Sequence, residues 1–263
     1  MNGGRHREPG PVVRTVVATA NIRDGLGRRA AREALAGVLA AGPDLVGLQE
    51  WGPGRLGLLR EHGRVGTAPS IPGLWAPGTG SSYLWSVPVV GDCVVGARAD
   101  RYDLVDSRLV PLSAPGRGEN PDRWRGIEPG RLLTSAVYRD RASGRTVCLL
   151  CFHLVPGVQR GGRYRCDRPL LVARHRAEVR RLQTVIDREL ARGRVVHAVG
   201  DSNFDGLRLR GLTSAWQGRE DGPGTLGPRR QVDDVHGPGP AAAVRILENA
   251  SDHRAVVATR EVG

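Results

Sequence analysis

The sequence predicts a mixed α/β (α+β) fold of two packed sheets with helices outside them, and three observations carry this. Strand-like runs crowd the middle of the chain, while one helical run follows the first strand and another precedes the last group of strands. That order suits two sheets flanked by helices better than one parallel sheet. Two of the runs are joined by the turn "DRASGR", which predicts a hairpin and hence antiparallel pairing. With 263 residues, 40% of them hydrophobic, the chain can bury a full core, so a polar tail over 1–11 and a single domain over 12–263 are expected.

The elements follow in order. "VVRTVVATA" is β-branched and reads as the first strand. "GLGRRAAREALAGVLAAG" carries Ala31, Leu35, Val38 and Leu39 at helical spacing and stops at Gly42-Pro43, a helix terminator. "DLVGLQE" is a buried strand, a weaker helical stretch runs from about Gly54 to Glu61, and the Gly/Pro-rich region from Gly63 to Gly80 reads as surface loop. "SSYLWSV", "CVVGAR", "YDLVDSRLVPL", "RLLTSAVYRD" and "RTVCLLCFHL" are strands. A long helix from about Pro169 to Ala191 places Val172, Val179, Leu182, Ile186 and Leu190 near one face, with Arg on the other. "RVVHAVG", "RQVDDVH", "VRILEN" and "HRAVVATRE" complete the strands.

Composition excludes disordered and fibrous classes. No window approaches the roughly 18 apolar residues of a membrane span, and no signal-peptide pattern opens the chain, so a cytoplasmic protein is expected. All 39 basic residues are Arg, and the formal net charge of +12 draws the chain toward polyanions such as nucleic acid or an anionic membrane surface. Cys148 and Cys151 have the spacing of half a zinc knuckle, but on a strand side chains three apart point to opposite faces. Cys93, Cys148, Cys151 and Cys166 therefore read as buried small hydrophobes.

Polar residues collect where strands end. The first strand runs into Asn21, the second ends on Glu50, the hairpin strand carries His153, and "VGDSNFD" supplies Asp201 and Asn203 just after a buried strand. Asp233 and the Ser251-Asp252-His253 triplet come later. Each residue alone reads as a surface or capping group. Loops at the carboxyl ends of strands are nevertheless where α/β sheets bind ligands.

Taken in order, T-A-N-I-R, L-Q-E, F-H-L, G-D-x-N, V-D-x-V and S-D-H, from about Ala18 to Ala258, resemble the endonuclease/exonuclease/phosphatase (deoxyribonuclease I-like) superfamily in its His-type branch. The resemblance implies a four-layer α/β sandwich, two central and mostly antiparallel sheets with helices outside, and a divalent metal at the top between them. It makes Glu50 a metal ligand together with Asn21 and Asp252, and such oxygen donors suit Mg²⁺, with Mn²⁺ as a substitute. It gives Asp201, positioned with Asn203, the attacking water; His253, held by Asp233, the phosphoryl oxygen; and His153 the same phosphate or the leaving oxygen. The residue between Asp201 and Asn203 is Ser202 where an aromatic is usual. Arg23 stands where some DNA-repair members carry an acid, and His153 where they carry Tyr, which disfavours abasic-site endonuclease activity.

The implied activity is Mg²⁺-dependent hydrolysis of a phosphate ester, with nucleic acid as the substrate class that the charge favours. A phosphoesterase of lipid or small substrates, of phosphoinositide or sphingomyelin type, would use the same residues, and a catalytically silent binding module is the reading outside enzymes. Between Gly157 and Arg181 stand eight Arg against Asp167 and Glu178. Here Arg160, Arg163 and Arg165 could track phosphates and Tyr164 could stack on a base, or the segment could be a solvated loop and the outer face of a helix. Trp124, between two Arg, poses the same alternative.

Overall fold

The fold was analysed in a computed structural model, which describes residues 13–69, 82–119 and 126–262. The expected N-terminal tail and Trp124 lie outside the described residues. β1 (Val13–Asn21) leads through a loop to α1 (Arg28–Ala40), then β2 (Leu45–Gln49), a 3₁₀ turn at Pro53–Arg55 and α2 (Leu56–Arg60). Next come β3 (Gly63–Ala68), β4 (Tyr83–Pro88), β5 (Val94–Arg98), the long β6 (Tyr102–Ser113), the short β7 (Gly116–Arg117) and β8 (Ile127–Glu128), and β9 (Arg131–Asp140). The second half holds β10 (Thr146–His153), the two-residue strands β11 (Gln159–Arg160) and β12 (Arg163–Tyr164), α3 (Pro169–Ala191) and β13 (Val195–Asp201). β14 (Thr213–Ser214), β15 (Asp233–Gly237), β16 (Ala241–Leu247) and β17 (Ala255–Val262) end it.

One sheet has the order β16-β17-β1-β2-β5-β4-β3 and the other β14-β15-β13-β10-β9-β6. Only β1/β2, β3/β4 and β10/β13 pair in parallel within them, and β9 and β10 form the expected hairpin. Alternation along the strands assigns the layers. In β10, Val147, Leu149 and Cys151 face the space between the sheets with Val17, Leu45 and Val199. Cys148, Leu150 and Phe152 face outward, against Leu182, Val185 and Ile186 of α3. On the far side, α1 and α2 cover the first sheet through Ala31, Leu35, Val38, Leu58 and Leu59. The result is the four-layer sandwich, helices outside two packed sheets.

Two expectations change. Gly63–Ala68, read as the start of a loop, is the edge strand β3, because pairing with β4 supplies the backbone hydrogen bonds that its Gly-rich side chains do not advertise. Cys166 is exposed, unlike the three other cysteines, because it sits beyond β12 before α3 rather than on a strand. Cys148 and Cys151 do occupy opposite faces of β10.

His197 lies on β13, fully buried, and neither ring nitrogen has a hydrogen-bond partner among the described residues. Burial, with Arg260 and Arg101 nearby, lowers its pKa to about 3. The unfolded chain binds this proton from about pH 6.5 downward, so the folded state loses stability between there and pH 3. At pH 4.5 the loss from this one group is about 2–3 kcal/mol. His197→Leu is therefore expected to flatten the fall of the urea midpoint between pH 7.5 and pH 4.5, and equal slopes in both proteins would disprove the assignment.

Candidate active site

The parallel pairs bring the expected residues together. A parallel pair ends both strands on the same edge, so Asn21 stands beside Gln49, next to Glu50, and His153 is in register with Asp201. Antiparallel β15 then starts where β13 ends and sets Asp233 opposite Asp201. The two sheets meet at this edge through Asn21, whose Nδ2 donates to Glu50 Oε1 and to Asp201 Oδ2, each at 3.1 Å.

Asp201 Oδ2 is the hub. His153 Nε2 lies 3.7 Å from it and His253 Nε2 3.9 Å, while Glu50 Oε1 is 4.0 Å from His153 Nε2. Asn203 donates its backbone N–H to Asp201 Oδ1 at 2.7 Å, and its side-chain amide to Leu154 O at 3.0 Å and to Asp201 Oδ2 at 3.3 Å. Asn203 thus orients Asp201, and its amide donor is already engaged by protein oxygens. Both Glu50 (φ 55°) and Asn203 (φ 51°) adopt the left-handed region, uncommon for Glu and tolerated by Asn.

Gly200 lies within β13, where a Cβ would sit 1.9 Å from Phe152 O of the neighbouring strand. Its positive φ of 153°, which L side chains rarely adopt, and the nearby β10 backbone together exclude a side chain there.

Each histidine has a carboxylate on Nδ1. His253 Nδ1 and Asp233 Oδ2 are 2.8 Å apart. Burial opposes charge on this imidazole, but the hydrogen bond to Asp233 and the nearby Asp201 outweigh it and raise its pKa to about 9. Burial, reinforced by Asp201, pushes Asp233 up to about 6 against the pull of His253. Between those values the pair holds its proton on His253. The Thr225 hydroxyl accepts the Asp233 N–H at 3.1 Å, fixing the strand start.

The second pair was missed from the sequence. Asp92, in the turn between β4 and β5, places Oδ2 2.7 Å from His153 Nδ1, and Arg131 Nη1 lies 3.3 Å from the same nitrogen. Burial opposes ionisation of Asp92, yet His153 and Arg131 hold its carboxyl at about 2. Burial and Arg131 press the His153 pKa down, but Asp92 and Asp201 more than compensate and it is raised. "GDC" carries no mark that separates Asp92 from any turn aspartate, and Arg131 reads as one more arginine at a strand start.

The metal set divides. Asn21 Oδ1 is buried with no hydrogen-bond partner among the described residues, beside the Glu50 carboxylate. A lone buried acceptor next to a carboxylate fits a hard cation, which satisfies both. Asp201, Asp233 and His253 also have donor atoms within 4.8 Å of one another. His253 Nδ1 is engaged by Asp233, which favours its protonated form, whereas Asn21 and Glu50 offer the oxygen donors that suit Mg²⁺. Asp252 is half exposed, 3.9 Å from Arg23, and its charge acts on the neighbouring His253. Ser251 Oγ accepts from the Arg23 N–H at 3.3 Å and braces that loop.

The arginine arm is a small hairpin, β11 paired with β12 through Gly161 and Gly162, both at positive φ as its tight turn requires. Arg160 and Arg163 are exposed at its tip. Arg165 is committed to Asp167, and Tyr164 does not stand free for a base. Its ring lies 4.3 Å from that of Phe204, carries Arg176 at 4.7 Å, and its hydroxyl is 3.0 Å from His175 Nδ1. Those contacts dock the arm beside the Asn203 loop, because burying the ring in an apolar cluster with Val155, Val158 and Leu171 outweighs leaving it exposed.

No family model matches the chain, and no curated protein matches it in sequence. Solved structures match it in shape. The catalytic domain of human Nocturnin, with a bound sulfate anion, superposes with a TM-score of 0.64 at 19% identity over 95% of each chain. TDP2 from D. rerio, complexed with a single-strand DNA product, gives 0.59 at 15% identity over 94% of this chain and 98% of that one. An endonuclease/exonuclease/phosphatase family protein from Bacteroides thetaiotaomicron gives 0.62 at 15% identity over 96% and 99%. Such agreement along nearly the whole length establishes that the chain has the fold of the endonuclease/exonuclease/phosphatase superfamily, as its six ordered motifs implied.

Proposed function

We propose that the protein is a divalent-metal-dependent phosphodiesterase that hydrolyses P–O bonds of nucleic acid by in-line attack of water. The observation that carries the reading is the gathering of Asn21, Glu50, His153 and His253 around the Asp201 carboxylate at one edge of the sandwich. The net charge of +12 and the single-strand DNA product in the similar TDP2 structure support nucleic acid as the substrate.

A phosphodiester repels nucleophiles, and its in-line transition state gathers more charge on the phosphoryl oxygens. His253, kept protonated by Asp233, faces that charge with an N–H. Asp201, oriented by Asn203, takes the proton that the attacking water loses. His153, whose proton affinity Asp92 raises, donates to the leaving oxygen. Glu50 and Asn21 Oδ1 would hold Mg²⁺, or Mn²⁺ in its place, and the ion when bound supplies further charge neutralisation at the phosphate.

The test is a panel of plasmid, single-stranded DNA, RNA, bis-p-nitrophenyl phosphate and inositol phosphates, with Mg²⁺ and then with EDTA. Turnover of the diesters that EDTA abolishes is expected. Turnover of monoesters alone would reject the nuclease reading, and no turnover with any divalent ion would reject the enzyme. Glu50→Gln is expected to lower diester turnover at least about 100-fold at fixed Mg²⁺, since it removes the charged ligand. Wild-type turnover in that variant would remove Glu50 from the site.

A further inference from the structure

We propose that Arg55 is the positioning residue for the metal ligand Glu50. The inference rests on the reading of Glu50 as a ligand and adds what holds that carboxylate in place. Arg55 is 7% exposed, and its guanidinium reaches five backbone carbonyls. Nη1 donates to Ile22 O at 2.5 Å and Glu50 O at 3.2 Å, and Nη2 to Arg23 O, Asp24 O and Leu26 O at 2.7, 2.6 and 2.9 Å. Four of those carbonyls belong to the loop between β1 and α1, and the fifth is that of Glu50 itself. Among the described residues Arg55 forms no ion pair; its guanidinium lies 5.9 Å from the centre of the Trp51 ring, and its hydrogen bonds go to backbone carbonyls.

The loop needs such a clamp. Residues 22–26 lie outside any strand or helix, and apart from the Leu26 N–H on Arg23 O at 3.0 Å their carbonyls have no ladder to satisfy them. Only a planar group with several donors can gather carbonyls converging from so many directions. Once clamped, the loop presents the Asp24 N–H to Glu50 Oε2 at 3.0 Å, while Asn21 Nδ2 holds Oε1 at 3.1 Å. One carboxylate oxygen of Glu50 is thereby fixed from the loop that Arg55 organises, and the other from the end of β1 just before it. Glu50 also keeps its left-handed backbone, φ 55°, with its own carbonyl on the same guanidinium. Groups that orient a metal ligand from behind change metal affinity by about 10- to 100-fold when removed.

Geometry and charge predict opposite outcomes. Were the Arg55 charge what mattered, Arg55→Gln would tighten cation binding by removing repulsion and Arg55→Lys would leave it unchanged. If positioning matters, both weaken it. The experiment measures the Kd for Mn²⁺ by titration calorimetry on the wild-type chain, Arg55→Lys, Arg55→Gln and Glu50→Gln, with melting curves to confirm folding. Expected is one Mn²⁺ on the wild type, loss in Glu50→Gln, and a Kd raised roughly 10- to 100-fold in both Arg55 variants. Turnover of bis-p-nitrophenyl phosphate in those variants should recover most of its kcat at saturating Mn²⁺, a recovery that general destabilisation would not produce.

Folded Arg55 variants that bind Mn²⁺ as the wild type does would overturn the inference alone. A Glu50→Gln chain that binds Mn²⁺ normally, or a wild type that binds none, would overturn the ligand assignment and the inference with it. Should Arg55→Gln fail to fold, Arg55→Lys decides. Hydrogen exchange at the Asp24 amide gives an independent reading on the wild-type chain itself: protection is expected, and exchange at the unfolded rate would also refute the clamp.

Discussion

Asp201→Asn is expected to lower kcat on a phosphodiester by roughly 10³- to 10⁴-fold, at the upper end of what one acid–base group contributes. The substitution keeps size and the oxygen that accepts the Asn203 N–H, so folding should survive. It removes the carboxylate proposed to take the proton from water, which is also the negative hub within 4 Å of both imidazole Nε2 atoms. Asp201 helps keep His153 and His253 protonated, so residual activity should also fall off at lower pH on the alkaline side. Steady-state kinetics from pH 5 to 10, with a melting curve as control, measure both effects. A folded variant retaining a tenth of wild-type kcat would show that another group accepts the proton.

Gly200→Ala is expected to be the most damaging single-methyl change. The new Cβ would sit 1.9 Å from Phe152 O and 2.9 Å from its carbonyl carbon, and neither is a flexible side chain that could swing away. β10 and β13 are the parallel pair at the centre of their sheet, closed in by β9 and β15, so separating them breaks ladders on both sides. A loss of at least about 3 kcal/mol follows, and in a chain of this size a Tm lower by roughly 10 °C. The matched control is Gly37→Ala in α1, where a Cβ meets nothing within 4 Å and a gain of up to about 1 kcal/mol is expected from helix propensity. Similar Tm values for the two variants would contradict the packing described for β13. Activity should fall with stability in Gly200→Ala, since the same pair of strands ends on His153 and Asp201.

Gly47 shows the same constraint between the sheets. A Cβ there would approach Val199 Cγ2 to 2.3 Å and Cys151 Sγ to 3.1 Å, so β2 lies close over β10 and β13. That closeness lets Asn21 and Glu50 on one sheet meet Asp201 on the other. Two glycines, one within a strand pair and one between sheets, thus set the distances on which the site depends.

Much of this was legible in the chain itself. α3 spans the residues that its apolar spacing predicts, and the alternation in "RTVCLLCFHL" separates Cys148 from Cys151 as expected. Local spacing suffices there because burial of one face follows directly from side-chain period. Gly63–Ala68 was missed because its strand character comes from a partner, β4, rather than from its own residues. Tyr164 stayed open in the sequence because a tyrosine in an arginine-rich stretch looks the same whether it waits for a base or packs, as on Phe204 here.

The six ordered motifs, through the superfamily they resemble, pointed to the residues that could carry the chemistry: Asn21, Glu50, His153, Asp201, Asn203, Asp233, Asp252 and His253, all at or near strand ends. Only the tertiary structure decided which of them touch, and it added Asp92, Arg131 and Arg55, which no motif marks. It also set Asp252 beside Arg23, at 3.9 Å. The reason is physical: a side chain's type and the strand it ends depend on nearby residues, whereas its partners depend on sheet pairing and intersheet distance. Asn21 and Asp201 meet across 180 positions because two parallel pairs happen to end on one edge, and that is a property of packing.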